Sequence, residues 1–190
     1  MTVVIRPLQD SDADALHAVV QASMASLSQW LPWATPAYAL TDAQAWIAFA
    51  RQARESGSAH HFGVFDAGSG ALLGGVGINH LIPAYRTGHM GYWVADAARG
   101  RGVAGEASRL AARFAFDTLG LQRLTILIHP QNRASLRVAI KLGGVCEGLA
   151  RNVIVVGGES AEAFVYSLIP DDFAADDLAP DDLSPDDLAN

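Results

Sequence analysis

A mixed α/β fold, with a central and mostly antiparallel sheet of about seven strands flanked by helices on both faces, is what this 190-residue chain predicts. Three features point there. The apolar spacing alternates between helix-like and strand-like along the chain, the middle carries three successive period-two segments, and residues 152–169, just before an acidic tail, read as a hairpin. A chain of this length makes about one domain with a sizeable core.

Val3 to Arg6 is β-branched and stops at Pro7, so it reads as a strand. Ser11 to about Ser23 opens on a cap-like Ser-x-x-Asp and carries Leu16, Val19 and Val20 at helical spacing. A loop, SQWLPWATP, follows. Thr41-x-x-Gln44 reads as a capping box ahead of Trp46, Ile47, Phe49 and Ala50, opening a second helix that runs to near Gly57. The period then changes to two. HHFGVF, LLGGVGINHL and HMGYWVA are three antiparallel strands, joined by a turn at DAGSG and by a Pro-containing loop. After Gly102 the helical period returns, with Val103, Ala107, Leu110, Ala111 and Phe114 on one stripe and an end near Gly120. RLTILIH is a strand, NRASLRVAIKLGG a capped helix ending at Gly143 and Gly144, and NVIVV with AFVYSLI a hairpin closed by GGES. The order is β-α-α-β-β-β-α-β-α-β-β.

Composition narrows the function classes. With 51% hydrophobic and 17% charged residues and no apolar run near the ~18 residues of a membrane span, the chain is expected to be a soluble protein without a membrane partner. The N-terminus lacks the layout of a signal peptide, and Cys146 is the single cysteine, which excludes an internal disulfide and a Cys-based zinc site. The cytoplasm is the expected compartment. The net charge of −7 is concentrated: eight of the twenty acidic residues follow Ile169 with no Lys or Arg among them, so residues 1–169 carry thirteen basic against twelve acidic side chains. Two parts follow, a folded domain over 1–169 and an acidic tail over 170–190 with a five-residue period, expected to be solvated or to form short turns opened by Pro and Asp. The tail argues against nucleic acid as a partner.

The glycines at 100, 102 and 105 spell G-x-G-x-x-G. A dinucleotide site needs them directly after the first strand of a βαβ unit, with an acidic residue ending the next strand. Four residues intervene here, and no Asp or Glu lies between Asp117 and Glu147. A Walker loop is excluded as well, since no Lys-Ser or Lys-Thr follows. What remains is a phosphate cradle: small residues that let the backbone approach, N–H groups of a helix N-terminus, and positive charge from Arg99 and Arg101.

Arg99-x-x-Gly102-x-Ala104 resembles the Q/R-x-x-G-x-G/A signature of the GNAT superfamily of N-acetyltransferases, with a strand before it, a helix after it and Asn132-x-x-Ser135 downstream. GYWVADAARGRGVAGEA, NRAS with KLGG, and the early QWLPWA are similar to the RimJ/RimL type, which acetylates the N-terminal amine of ribosomal proteins and, in some members, small aminoacyl compounds. The resemblance spans about residues 3–169. It implies acetyl-CoA as co-substrate, no metal, and direct attack by a primary amine in a ternary complex; it leaves the assembly open, a homodimer included.

The resemblance also distributes roles. Tyr92, Trp93 and Val94 would pair with the pantetheine where the sheet splays, or serve as core. Arg99, Gly100, Arg101, Gly102, Val103, Ala104 and Gly105 would hold the pyrophosphate, or form a plain glycine-rich turn. Arg133, Arg137 and Lys141 stand at i, i+4 and i+8 and would reach the 3′-phosphate, or make a solvated basic face. Many members protonate the leaving thiolate with Tyr, yet no Tyr lies between Tyr92 and Tyr166. Ser135 is the implied replacement, with Asn132 among the coenzyme contacts, unless one of them is merely the helix cap. For the base, related enzymes use a Glu in the fourth strand or the later hairpin, whereas this chain offers His89 near the former and Val153 to Val156 in the latter. His89 is the expected base, with His80 the second candidate and an acceptor contact, unless these are loop or satisfied histidines, and Trp30 and Trp33 would wall the acceptor pocket or anchor a loop. The missing carboxylate favours α-amines over Lys side chains, since the α-amine loses its proton more easily. It also leaves open a non-catalytic acyl-CoA sensor or scaffold, and the tail an interaction adaptor.

Overall fold

Among residues 2–174, which the computed structural model describes, seven strands form one sheet. They are β1 (Val3–Arg6), β2 (His60–Asp66), β3 (Leu72–Ile82), β4 (Thr87–Val94), β5 (Arg123–Ile128), β6 (Val145–Val156) and β7 (Glu159–Leu168). Their spatial order is β1-β2-β3-β4-β5-β7-β6, antiparallel at every step except β4–β5. The helices are α1 (Ala13–Ala22), α2 (Met24–Leu27), α3 (Leu40–Glu55), α4 (Val103–Arg113), α5 (Arg133–Lys141) and α6 (Pro170–Ala174). The mixed, mostly antiparallel sheet with helices on both faces is the architecture the periodicities predict.

Alternation along the strands divides the apolar residues between two cores. Phe65 and Leu72 meet Leu16 and Val20 of α1 and Ala43 and Ile47 of α3. Their chain neighbours Val64 and Leu73 point the other way, into a larger core with Val76, Ile78, Met90 and Leu124 under α4 and α5. The stripe of α4 rotates slightly from the expected one: Val103, Ala107, Ser108, Ala111 and Ala112 are buried, while Leu110 stands at the edge. A face of alanines brings this helix close to the sheet, and that closeness fixes where its N-terminus points.

Several local expectations need correction. The cap before α1 is not Ser11 with Asp14; Asp12 accepts the Gln9 N–H at 2.7 Å and grips Arg6 at 2.7 and 2.8 Å, so the capping pair sits two residues earlier. Likewise α3 opens at Leu40, where Asp42 rather than Gln44 accepts the N–H of Ala39 at 2.8 Å. The short α2 was not expected. β6 begins at Val145, well before NVIVV, because bulges at Cys146/Gly148 and Ala150/Ile154 break its period of two. The first repeat of the acidic tail forms α6, with Asp172 accepting the Ile169 N–H at 2.8 Å; the expectation for the rest of the tail falls outside the described residues.

Candidate active site

The pairing of β4 with β5 covers only Thr87 to His89 against Arg123 to Thr125. Beyond that β4 runs on to Val94 bonded to β3, and β5 runs on to Ile128 bonded to β7. A wedge opens between them, and its facing N–H and C=O groups are available to a ligand. The side chains beside it are packed: Tyr92 and Val94 against the larger core, Trp93 against the smaller. The Trp93 indole covers Gly75, where a Cβ would come within 2.6 Å of its Nε1. The core reading therefore holds for these side chains, and their backbone remains at the wedge.

At the end of β4 a 3₁₀ turn over Asp96–Ala98 leads into the glycines. Gly100 and Gly102 hold φ of +71° and +78°, left-handed values that a side chain would strain. The first bond closing α4 runs from the Glu106 N–H to the Gly102 carbonyl at 3.1 Å, so the N–H groups of Val103, Ala104 and Gly105 have no acceptor within the helix. A Cβ added at Gly100, Gly102 or Gly105 would meet nothing within 4 Å. Open space, three aligned donors, the positive helix end and the exposed Arg101 suit a phosphate. Arg99 is tied into the protein: its Nε lies 3.0 Å from Asp96 Oδ1, and its terminal nitrogen donates to Ser26 Oγ at 2.8 Å. With the Asp96 N–H donating to Ser23 Oγ at 3.0 Å, this group fastens the cradle loop to the junction of α1 and α2.

Across the wedge, α5 starts directly after β5. Asn132 is its cap, accepting the Ser135 N–H on Oδ1 at 3.2 Å. The Ser135 hydroxyl is left for another partner, and it lies 2.9 Å from the hydroxyl of Tyr92, which is also 3.1 Å from the Ser135 carbonyl oxygen. Burial pushes the Tyr92 phenol up to about 12, outweighing the contact with Ser135, which lowers it. Arg133, Arg137 and Lys141 are exposed on α5.

The histidines are placed differently. The rings of His89 and His80 lie 5.0 Å apart, tilted at 52° to each other, and His80 has a left-handed backbone with φ of +47°. Burial first, then the nearby His80 and Arg123, hold His89 below the usual imidazole range. His89 and Tyr92 are three residues apart on one strand and so point to opposite faces; the fold does not bring His89 and Ser135 side by side.

A cleft of about 920 Å³ is lined by His129, Arg151, Asn152, Ser160, Ala161 and Glu162. Trp30 is not among the lining residues, but its ring lies 5.4 Å from that of His129, which is. Trp33 stays with the smaller core, 6.0 Å from Trp93 and 6.0 Å from Tyr38, the arrangement of a loop anchor. His129 accepts the Gln131 N–H on Nδ1 at 3.2 Å, so the neutral ring carries its proton on Nε2. Glu162 supplies a carboxylate that the sequence reading missed by attending to Val153 to Val156. The signal was there, a lone acid in the apolar run AEAFVYSLI, but its direction depends on the two bulges of the partner strand.

Comparison with known proteins agrees with this geometry. Residues 2–145 match the model of the acetyltransferase (GNAT) domain family. "Probable N-acetyltransferase YjcK" of Bacillus subtilis is 30% identical over 174 residues, covering 90% of this chain and 96% of its own. The [ribosomal protein uS5]-alanine N-acetyltransferase of Escherichia coli is 23% identical over 173 residues, 90% of this chain and 89% of its own. RimL, a ribosomal L7/L12 α-N-protein acetyltransferase solved in complex with coenzyme A, shares the fold with a TM-score of 0.82 at 22% identity over 90% of this chain and 96% of its own. A sheet split beside a glycine-opened helix thus has its explanation in descent: this chain belongs to the GNAT acetyltransferase family and is an acetyl-CoA-dependent N-acetyltransferase.

Proposed function

We propose that the chain moves the acetyl group of acetyl-CoA onto an α-amine, the N-terminus of a protein or a small aminoacyl compound. The observation that carries this reading is the cleft of about 920 Å³ beside the wedge, with Glu162 and His129 on its lining. Its volume falls within the range of ligand-binding clefts, and it is open to solvent on one side. The coenzyme would lay its pyrophosphate on the N–H groups of Val103, Ala104 and Gly105 near Arg101 and pass its pantetheine along Tyr92, Trp93 and Val94. Arg137 and Lys141, exposed on α5, would reach the 3′-phosphate, and Asn132 and Ser135 would meet the thioester end.

In the cleft, Glu162 attracts the acceptor ammonium and takes the proton shed after attack. His129 serves as a donor through Nε2, and Trp30 packs against its ring. His89 and His80 sit farther along the sheet, and the carboxylate of Glu162 takes over the base role expected of His89. A carboxylate or imidazole does not readily remove a proton from a Lys side chain. At pH 7 roughly a tenth of an α-amine is already neutral, whereas a Lys amine must overcome ~4.6 kcal/mol to reach that form. The name of uS5-alanine N-acetyltransferase places the acetyl group on the nitrogen of an alanine, a residue whose side chain has no amine.

Glu162→Gln tests the assignment. Its kcat/KM toward a dipeptide amide with a free N-terminus is expected to fall at least ~10-fold, with acetyl-CoA affinity within about twofold. Unchanged turnover would remove Glu162 from the reaction.

A further inference from the structure

We propose that Tyr92 is a positioning residue for the leaving-group step, holding the Ser135 hydroxyl across the wedge so that its proton faces the departing sulfur. This rests on the role proposed above for Ser135.

Four observations support it. Past His89 no ladder joins β4 to β5, yet the Tyr92 hydroxyl spans that gap to Ser135 Oγ at 2.9 Å and the Ser135 carbonyl oxygen at 3.1 Å. Asn132 already caps α5, so the Ser135 hydroxyl has no structural duty there. The Tyr92 ring packs against the larger core, which fixes the phenol in place. Burial holds the phenol at about 12, so it donates a hydrogen bond throughout rather than ionising.

The phenol has one proton and two acceptors within reach. When that proton points to the carbonyl oxygen, the Ser135 hydroxyl turns its own proton back to the phenol. When it points to Ser135 Oγ, the serine proton is free to face the sulfur. The step then balances. The amine nitrogen forms a bond to the thioester carbon, and the carbon–sulfur bond breaks with its electron pair going to sulfur. Sulfur takes the Ser135 proton, Glu162 takes the proton that the nitrogen sheds, and Ser135 is restored by the proton that Glu162 returns through solvent. The net transfer is from nitrogen to sulfur, and Tyr92 keeps its proton.

Tyr92→Phe retains the packed ring and removes the hydroxyl. Its kcat at pH 7 is expected to fall about tenfold, with acetyl-CoA affinity by calorimetry within twofold. The deficit should shrink to less than threefold at pH 9.5, because a thiol with an ordinary pKa near 8.5 then leaves as a stable thiolate and needs no proton. In a Ser135→Ala background the same substitution should cost nothing more, since the two act as one unit. A loss that is equal at all pH values, or equal with and without Ser135, would overturn the proposal and make Tyr92 a packing residue. If Ser135→Ala itself leaves kcat unchanged, the underlying reading of Ser135 fails; if Ser135→Ala is slow and Tyr92→Phe is not, only the role of Tyr92 fails.

Discussion

Replacing Gly105 by leucine is expected to weaken acetyl-CoA binding at least ~100-fold, about 2.7 kcal/mol, while leaving the melting temperature the same or slightly higher. The two halves of that result have separate causes. Gly100 and Gly102 are needed by the turn itself, at φ of +71° and +78°. Gly105 is not: it lies in the regular first turn of α4, and a Cβ there would meet nothing within 4 Å. A glycine inside a helix costs roughly 0.5–1 kcal/mol relative to alanine, so the fold by itself favours another residue. The glycine makes sense if the open space in front of it belongs to the pyrophosphate, and a leucine would fill that space and cover the N–H groups. Calorimetry with acetyl-CoA beside a melting curve reads both halves. Affinity within threefold of the parent would move the phosphates away from this helix end.

Ser135→Ala carries the second large effect, a fall in kcat of about 100-fold with acetyl-CoA affinity held within twofold, the pattern of a contact that matters mainly in the transition state. Stability should not change, because the N–H that Asn132 caps belongs to the backbone of residue 135 and survives the substitution. Asn132→Ala is the control for the cap itself, with an expected loss of about 1 kcal/mol of stability. A drop in melting temperature for Ser135→Ala with kcat unchanged would return Ser135 to a purely structural place.

How much of this was legible in the chain depends on the distance over which each feature is encoded. The cradle was visible because its chemistry is local: glycines, a helix start and an arginine lie within seven residues. The splayed sheet at Tyr92 to Val94 was implied only by the family resemblance; the parallel β4–β5 pair that α4 connects emerges in the structure. The capping residues shifted by a step or two, because Asp12 is recruited by Arg6 and Asp42 suffices for Ala39. Side-chain meetings over long separations were not visible at all. Tyr92 and Ser135 are 43 residues apart, and their contact exists only because the wedge brings the end of β4 opposite the start of α5. Glu162 was hidden for a related reason: the bulges at Cys146/Gly148 and Ala150/Ile154 reset the alternation of β6, so no period read from the sequence says which face of the hairpin meets the cleft. Arg99 matches the family signature, yet it is engaged by Asp96 and Ser26, partners that lie on separate elements.

The central claim is that the amine acetylated is an α-amine, received beside Glu162 and attacked by a thioester held in the wedge. The most direct measurement gives the protein acetyl-CoA and one peptide bearing both a free N-terminus and an internal Lys, then locates the added acetyl group by fragment masses. A preference for the N-terminus of at least ~10-fold in kcat/KM is expected, an estimate that lets only part of the pKa difference between the two amines be expressed in the site. Acetylation mainly on the Lys would contradict the account, because it would require a base stronger than any group lining this cleft.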